Sequence, residues 1–231
     1  MAYQPIENYG IIGDMHTVAL IGMNGSIDWF CFPHFDSPSA FGALLDDKKG
    51  GHFSIAPLAE DVECKQLYWP ETNVLITRFL SSEGVGEITD YMTVTDPAKG
   101  GKHRQALFRH VTSVRGTIGF RVECFPAFSY ARDAHETDIN PNGAAFHSSG
   151  LSLGLSASTF LEKHGRGAAQ EFTLEEGQSA LFMLKAIEKG SGCETCLSEK
   201  EAFEVFVSTV EYWQKWLSKC TYRADGGRSF T

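Results

Sequence analysis

The chain is short of positive charge. Its 231 residues hold 20 Lys and Arg against 29 Asp and Glu, a formal net charge of −9. Such a surface repels phosphate backbones, and no basic cluster offsets it, so nucleic acid is not an expected partner. Long apolar runs are missing as well. Nothing approaches the roughly 18 consecutive residues that a membrane-spanning helix needs, so no membrane role is expected. The opening MAYQPIENYG lacks a basic stretch followed by an apolar one, and no secretory signal is read there. Six cysteines without such a signal read as reduced thiols, which points to the cytoplasm.

The common catalytic signatures are equally scarce. There is no G-x-S-x-G, and Gly25-Ser26-Ile27 follows a turn where the nucleophile elbow requires a strand. The phosphate-cradling G-x-x-x-x-G-K-[ST] is absent, and Gly84-Val85-Gly86 is too short to replace it. Cys193-Glu194-Thr195-Cys196 has C-x-x-C spacing, but a zinc site would need two further ligands at similar spacing. The eight histidines form no H-x-x-x-H or H-E-x-x-H. Neither a metal nor an organic cofactor is expected.

What is present is strand texture. From about Asp14 to Lys189, short runs rich in Val, Ile, Phe and Thr alternate with Gly, Asn, Asp and Pro. Strands are read at His16–Ile21, Ser26–Phe32, Asn73–Leu80, Ala106–Val114, Ile118–Phe125 and Gln178–Ile187. Turns are read at 23–25, 83–86, 115–117 and 175–177. The fold class is all-β, a large antiparallel sandwich, and 28 aromatic side chains supply its core.

One helix breaks the pattern. Ser198-Glu199-Lys200-Glu201 is a capping box, in which Ser198 and Glu201 satisfy each other's free backbone amides. Beyond it, Phe203, Phe206, Val207, Val210, Trp213 and Leu217 recur at helical spacing, a stripe able to dock on the sandwich. Val205, Tyr212 and Trp216 fall nearly opposite, so they are read as an interface for a further partner. The residues divide into a sandwich over 1–195, a linker helix over 196–222 and a loop over 223–231.

The densest region is NGSIDWFCFPHFDSPSAFGALL, residues 24–45. Alternation is poor in Ile27–Phe32, which reads as a strand buried on both faces. Pro33 and Pro38 bracket a loop carrying His34, Phe35, Asp36 and Ser37. Acids that accept hydroxyl hydrogen bonds, beside rings that cover pyranose faces, suit a sugar, so Asp28, Trp29, His34, Phe35 and Asp36 are candidates for a substrate rim. The alternative reading makes Asp28 and Asp36 local turn formers and the rings plain core.

The same region carries a family resemblance. Pro5–Tyr9, Ile12–Thr17, Asn24–Trp29 and Phe35–Phe41 resemble the amino-terminal domain of glycoside hydrolase family 15, the glucoamylase-like and trehalase-like proteins. Tyr68–Leu75, Ile88–Met92, Phe120–Arg132, Trp213–Trp216 and Cys220–Tyr222 are similar to it too. The resemblance implies a large β-sandwich, sometimes called a super-β-sandwich, followed by linker helices and an (α/α)6 barrel. That barrel would hold both glutamates of an inverting α-glucoside hydrolysis, set about 6.5–9.5 Å apart. Mostly strand, these 231 residues leave no room for twelve helices, so the chain alone is expected to be inactive. Its expected partners are the barrel of the same full-length protein and, through it, the α-glucoside. A second copy of the chain is the alternative occupant of the helix face. One departure stands out: family members often carry Arg where His34 stands, and histidine cannot copy that bidentate fork.

Three functions follow from this reading. The first is a non-catalytic domain bracing the barrel, with a loop at the active-site rim. The second is an independent carbohydrate-binding sandwich, and the third a small hydrolase using Asp28 and Asp36.

Overall fold

The structure, a computed structural model, describes residues 3–94 and 105–221. Tyr222 and the loop read over 223–231 lie outside the described residues. The first eight strands are β1 (Tyr9–Gly13), β2 (Val18–Gly22), β3 (Ser26–Cys31), β4 (Ser39–Phe41), β5 (His52–Pro57), β6 (Glu63–Tyr68), β7 (Leu75–Leu80) and β8 (Gly84–Met92). The other eight are β9 (Leu107–Gly116), β10 (Ile118–Phe125), β11 (His135–Asn140), β12 (Gly143–Ser148), β13 (Ser152–Ala157), β14 (Glu162–His164), β15 (Gly167–Leu174) and β16 (Ser179–Ala186). Among the described residues they form two eight-stranded sheets. Sheet A runs β1-β2-β3-β5-β10-β15-β14 with β4 beside β3; sheet B runs β11-β12-β13-β16-β9-β8-β7-β6. Every pairing is antiparallel. The all-β sandwich read from the sequence is what the chain forms.

Period-two alternation builds the core. In β10, Ile118, Phe120, Val122 and Cys124 point inward while Gly119, Arg121 and Glu123 alternate with them. In β8, Ile88 and Met92 are inward and Thr89 and Tyr91 face the other way. The inner faces of both sheets merge into one cluster that includes Phe30, Phe53, Phe79, Phe120, Phe146 and Phe182. Each such side chain contributes roughly 1.5–3 kcal/mol by leaving water. The turn expected at 83–86 lies earlier, since β8 already begins at Gly84.

Two inward positions are charged. Asp90 of β8 and Arg109 of β9 sit directly opposite one another, both fully buried. Arg109 Nε donates to Asp90 Oδ1 at 2.8 Å and Nη2 to Oδ2 at 3.3 Å. The guanidinium then crosses the core: Nη1 donates to the Phe53 carbonyl and Nη2 to the Gly25 carbonyl, each at 2.6 Å. It also lies 4.8 Å over the Phe53 ring. Gly25 has a φ of 80°, and a Cβ there would run into the Ile55 carbonyl. Only glycine serves at this turn.

The long helix, Glu199–Leu217, starts at the capping box read from the sequence. It packs on the outer face of sheet B, over Val74, Tyr91, Phe108, Leu181 and Met183. Its docked face shares Phe206 and Val210 with the expected stripe but is rotated from it. Ala202 and Thr209 are the buried positions, with Val205, Phe206 and Val210 beside them, while Phe203 is 65% exposed. Val205, assigned to the partner face by helical spacing, therefore belongs to the docking face. Side-chain size explains the rotation: Ala and Thr let the helix axis approach the sheet, and Thr209 Oγ1 is satisfied by the Val205 carbonyl at 2.9 Å.

Two consequences are measurable. Arg109→Met leaves the Asp90 carboxylate buried without its partner, and denaturant unfolding should record a loss of roughly 3–5 kcal/mol. The double variant Asp90→Leu/Arg109→Met should lose markedly less. Burial also holds the imidazoles of His110 and His135 below their ordinary value. Below about pH 6.5 the unfolded chain therefore binds more protons than the folded one. Stability should fall as pH drops from about 6.5 to 5, and replacing both histidines by Gln should flatten that slope.

Candidate functional site

The β1–β2 turn, the loop after β3 and one side of the long helix carry most of the residues that the sequence singles out. The turn between β1 and β2 is built on Asp14, whose Oδ1 accepts the His16 and Thr17 amides at 2.9 and 2.8 Å. Thr17 Oγ1 in turn donates to the Cys31 carbonyl, tying this turn to the end of β3. The Pro33–Pro38 loop follows directly. Its amides close on themselves, His34 N to Ser37 Oγ at 3.1 Å and Ser37 N to the His34 carbonyl at 3.1 Å. Phe35 N donates to the His16 carbonyl at 2.9 Å, and the His16 and His34 rings lie 6.1 Å apart. His34, Phe35 and Asp36 are all exposed, Phe35 by 58%. A loop held this firmly presents its side chains from a fixed backbone, which suits a contact surface.

Asp28 and Trp29 are not part of that loop surface. Pairing between β2 and β3 shifts at Leu20/Ile21, opposite Ile27–Trp29. This bulge breaks the alternation and explains why β3 is buried on both sides. Ile27 and Phe30 enter the core. Asp28 lines a small recess with Tyr9, Asn24 and His52. Both its oxygens are taken, Oδ1 by Ser26 Oγ at 2.6 Å and Oδ2 by Tyr9 OH at 2.7 Å. Burial and the Asp28 carboxylate push the Tyr9 phenol well above its usual range, so it stays a donor. Trp29 packs against Tyr130 instead, their ring centres 6.2 Å apart.

Tyr130 was not legible in the sequence. Ser129, Tyr130 and Ala131 have φ of 54°, 59° and 61°, three consecutive left-handed residues without a glycine. Each costs roughly 1–2 kcal/mol. Neighbours hold the turn in place: Tyr130 N donates to Ser39 Oγ at 3.0 Å and Asp133 N to the Phe128 carbonyl at 3.1 Å.

The other expected surface lies along the long helix. Tyr212 is half-buried and its hydroxyl faces Met15 Sδ at 3.7 Å, which links the helix to the β1–β2 turn. Trp216 is 49% exposed and packs edge-on to Trp213 at 6.1 Å. Trp213 Nε1 is buried without a hydrogen-bond partner among the described residues. The described residues contain no group of three or more His, Cys, Asp or Glu placed to hold a metal, and no helix long and apolar enough to cross a membrane. Cys193 and Cys196 point to different carbonyls, Ala144 and Leu181, and burial raises both thiols to about 11. They are packing thiols.

Residues 1–160 match the family described as "Trehalase-like, N-terminal". The chain belongs to that family. It is 30% identical over 226 residues to a trehalase of Thermoplasma volcanium, covering 95% of this chain and 35% of that protein. It is 41% identical over 121 residues to trehalase 1 of Sulfolobus acidocaldarius, covering 52% of this chain and 19% of that protein. A trehalase of Mycobacterium tuberculosis is 28% identical over 243 residues, covering 94% of this chain and 34% of that protein. The chain thus spans about a third of the length of relatives it matches almost throughout. Its fold is similar to that in a crystal structure of a bacterial glucoamylase complexed with acarbose, with a TM-score of 0.57 and 9% identity. That match covers 90% of this chain and 37% of the glucoamylase.

The internal role of Asp28 can be tested directly. Asp28→Ala leaves two hydroxyls without their acceptor and should lower unfolding stability by about 1–3 kcal/mol. Asp36→Ala, on the exposed loop, should change it by less than about 0.5 kcal/mol.

Proposed function

We propose that this chain is the non-catalytic amino-terminal domain of an inverting α-glucoside hydrolase of the trehalase-like kind. It braces an (α/α)6 catalytic barrel and lends the Pro33–Pro38 loop to the rim of the active site. The carrying observation is the match of residues 1–160 to the trehalase-like amino-terminal family, joined to trehalases about three times the length of this chain. The geometry supports the division of labour. Asp28 is spent on internal hydrogen bonds, so it is no partner for Asp36 in a carboxylate pair. The loop carrying His34, Phe35 and Asp36 is exposed yet anchored. Tyr212 and Trp216, at the far end of the long helix, are proposed as the contact to the barrel, with a second copy of the chain as the competing occupant. Six free cysteines favour the reducing cytoplasm as its compartment.

The test is made in the complete hydrolase with trehalose and maltose as substrates. His34→Ala and Asp36→Ala should each lower kcat/KM by about tenfold or more while leaving the melting temperature in place. Lower melting temperatures with kcat/KM intact would make the loop structural. The isolated chain should hydrolyse neither sugar.

A further inference from the structure

A second surface is built for a ligand. Where the long helix begins, it stands off from sheet B and leaves a cavity of about 410 Å³. That volume lies within the range of about 300–1,000 Å³ typical of small-molecule sites. Its apolar wall is aromatic. Tyr91 stacks on Phe108, with centres 5.1 Å apart and planes 4° apart, and meets the Phe206 edge at 5.7 Å. Phe203 stands at the mouth, 65% exposed, although the smaller Ala202 beside it is buried.

The opposite wall is polar, and much of its hydrogen-bonding capacity is free. Thr89 of β8 faces His110 of β9 in register, and Thr112 faces Ser179 of β16 one pair further along. The side chains of Thr89, His110 and Thr112 bond no other described residue. Ser179 Oγ donates to Glu199 Oε1 at 3.3 Å, which leaves the second carboxylate oxygen of Glu199 for a ligand. Glu199 is not needed for the helix cap, because Ser198 and Glu201 make that box themselves.

We propose that this cavity is a saccharide-binding site, taking one or two neutral pyranose rings against Phe203 and Phe206, with the buried Tyr91 ring as the floor behind them. Sugar hydroxyls both donate and accept, which matches a wall of hydroxyls, an imidazole and a carboxylate, while C–H faces lie on the rings. A purely apolar guest would strand those polar groups without partners. An anion would meet Glu199 with no Lys or Arg in the lining to balance it. Burial, partly offset by Glu199, keeps His110 neutral near pH 7, so its ring offers one donor and one acceptor. This site is separate from the rim loop and does not depend on the catalytic reading above.

The experiment is an NMR and calorimetric titration of this chain with glucose, maltose and trehalose, with sorbitol as an open-chain control. The expected result is saturable movement of the His110 ring resonances by at least one of the sugars, with Kd on the order of 1 mM, and none by sorbitol. Phe203→Ala and Glu199→Gln should each weaken binding at least about fivefold with an unchanged melting temperature. Phe35→Ala, on the rim loop, should leave the affinity as it was. The proposal is overturned if no sugar moves His110, if sorbitol does so equally, if both cavity variants bind normally, or if Phe35→Ala abolishes binding.

Discussion

The buried Arg109–Asp90 pair is the constraint on which the architecture depends. Removing two charges from water costs several kcal/mol per ion, and only good geometry offsets that cost. Here the guanidinium spends two donors on the carboxylate beside it in sheet B and two on carbonyls of sheet A. Apolar packing alone would tolerate a small slide of one sheet over the other, because dispersion has no preferred direction. Four directional bonds do not. Lysine could not replace the arginine, since a single ammonium lacks the planar fork.

Both surfaces of interest inherit their positions from that anchor. The Gly25 carbonyl leads into β3, and β3 leads into the Pro33–Pro38 loop. Asp90 and Arg109 alternate with Thr89, Tyr91, Phe108 and His110, which face outward under the long helix. The Pro33–Pro38 loop, at the end of a sheet A strand, and the helix-covered cavity, on the outer face of sheet B, are therefore tied to each other through that anchor. A domain with this construction suits bracing, since force applied at the helix meets a rigid sandwich.

Much of this was readable in the residues. Strands announced themselves by period-two alternation, and the long helix by its capping box. Phe206 and Val210 dock as their spacing implies, but apolarity alone ranks Phe203 and Leu217 above Ala202 and Thr209, whereas close packing on a sheet favours the small side chains. Asp90 and Arg109 look like surface residues by composition, yet they occupy inward positions between Ile88 and Met92 and between Leu107 and Val111. That parity was the available signal. Asp28 escaped because the bulge in β3 shifts the register, and a bulge leaves little trace in one sequence. The left-handed turn at Ser129–Ala131 left none, because nothing in Ser-Tyr-Ala marks a positive φ.

The margins of the two sheets are guarded by side chains. Tyr68 OH accepts from Ile11 N and donates to the Ile11 carbonyl, and Asn73 Oδ1 accepts from Gly13 N, so β1 is already occupied along its outer side. At the opposite margin, Thr137 Oγ1 and Lys163 Nζ bridge β11 to the neighbouring sheet, where β14 is only three exposed residues long. β6 places Glu63 and Lys65 along its exposed run. A strand whose amides are already claimed, or whose length is too short to template, gives a stray chain nothing to extend. The sixteen strands among the described residues leave several sheet margins, and these side-chain stitches leave an incoming strand few free amides to pair with there.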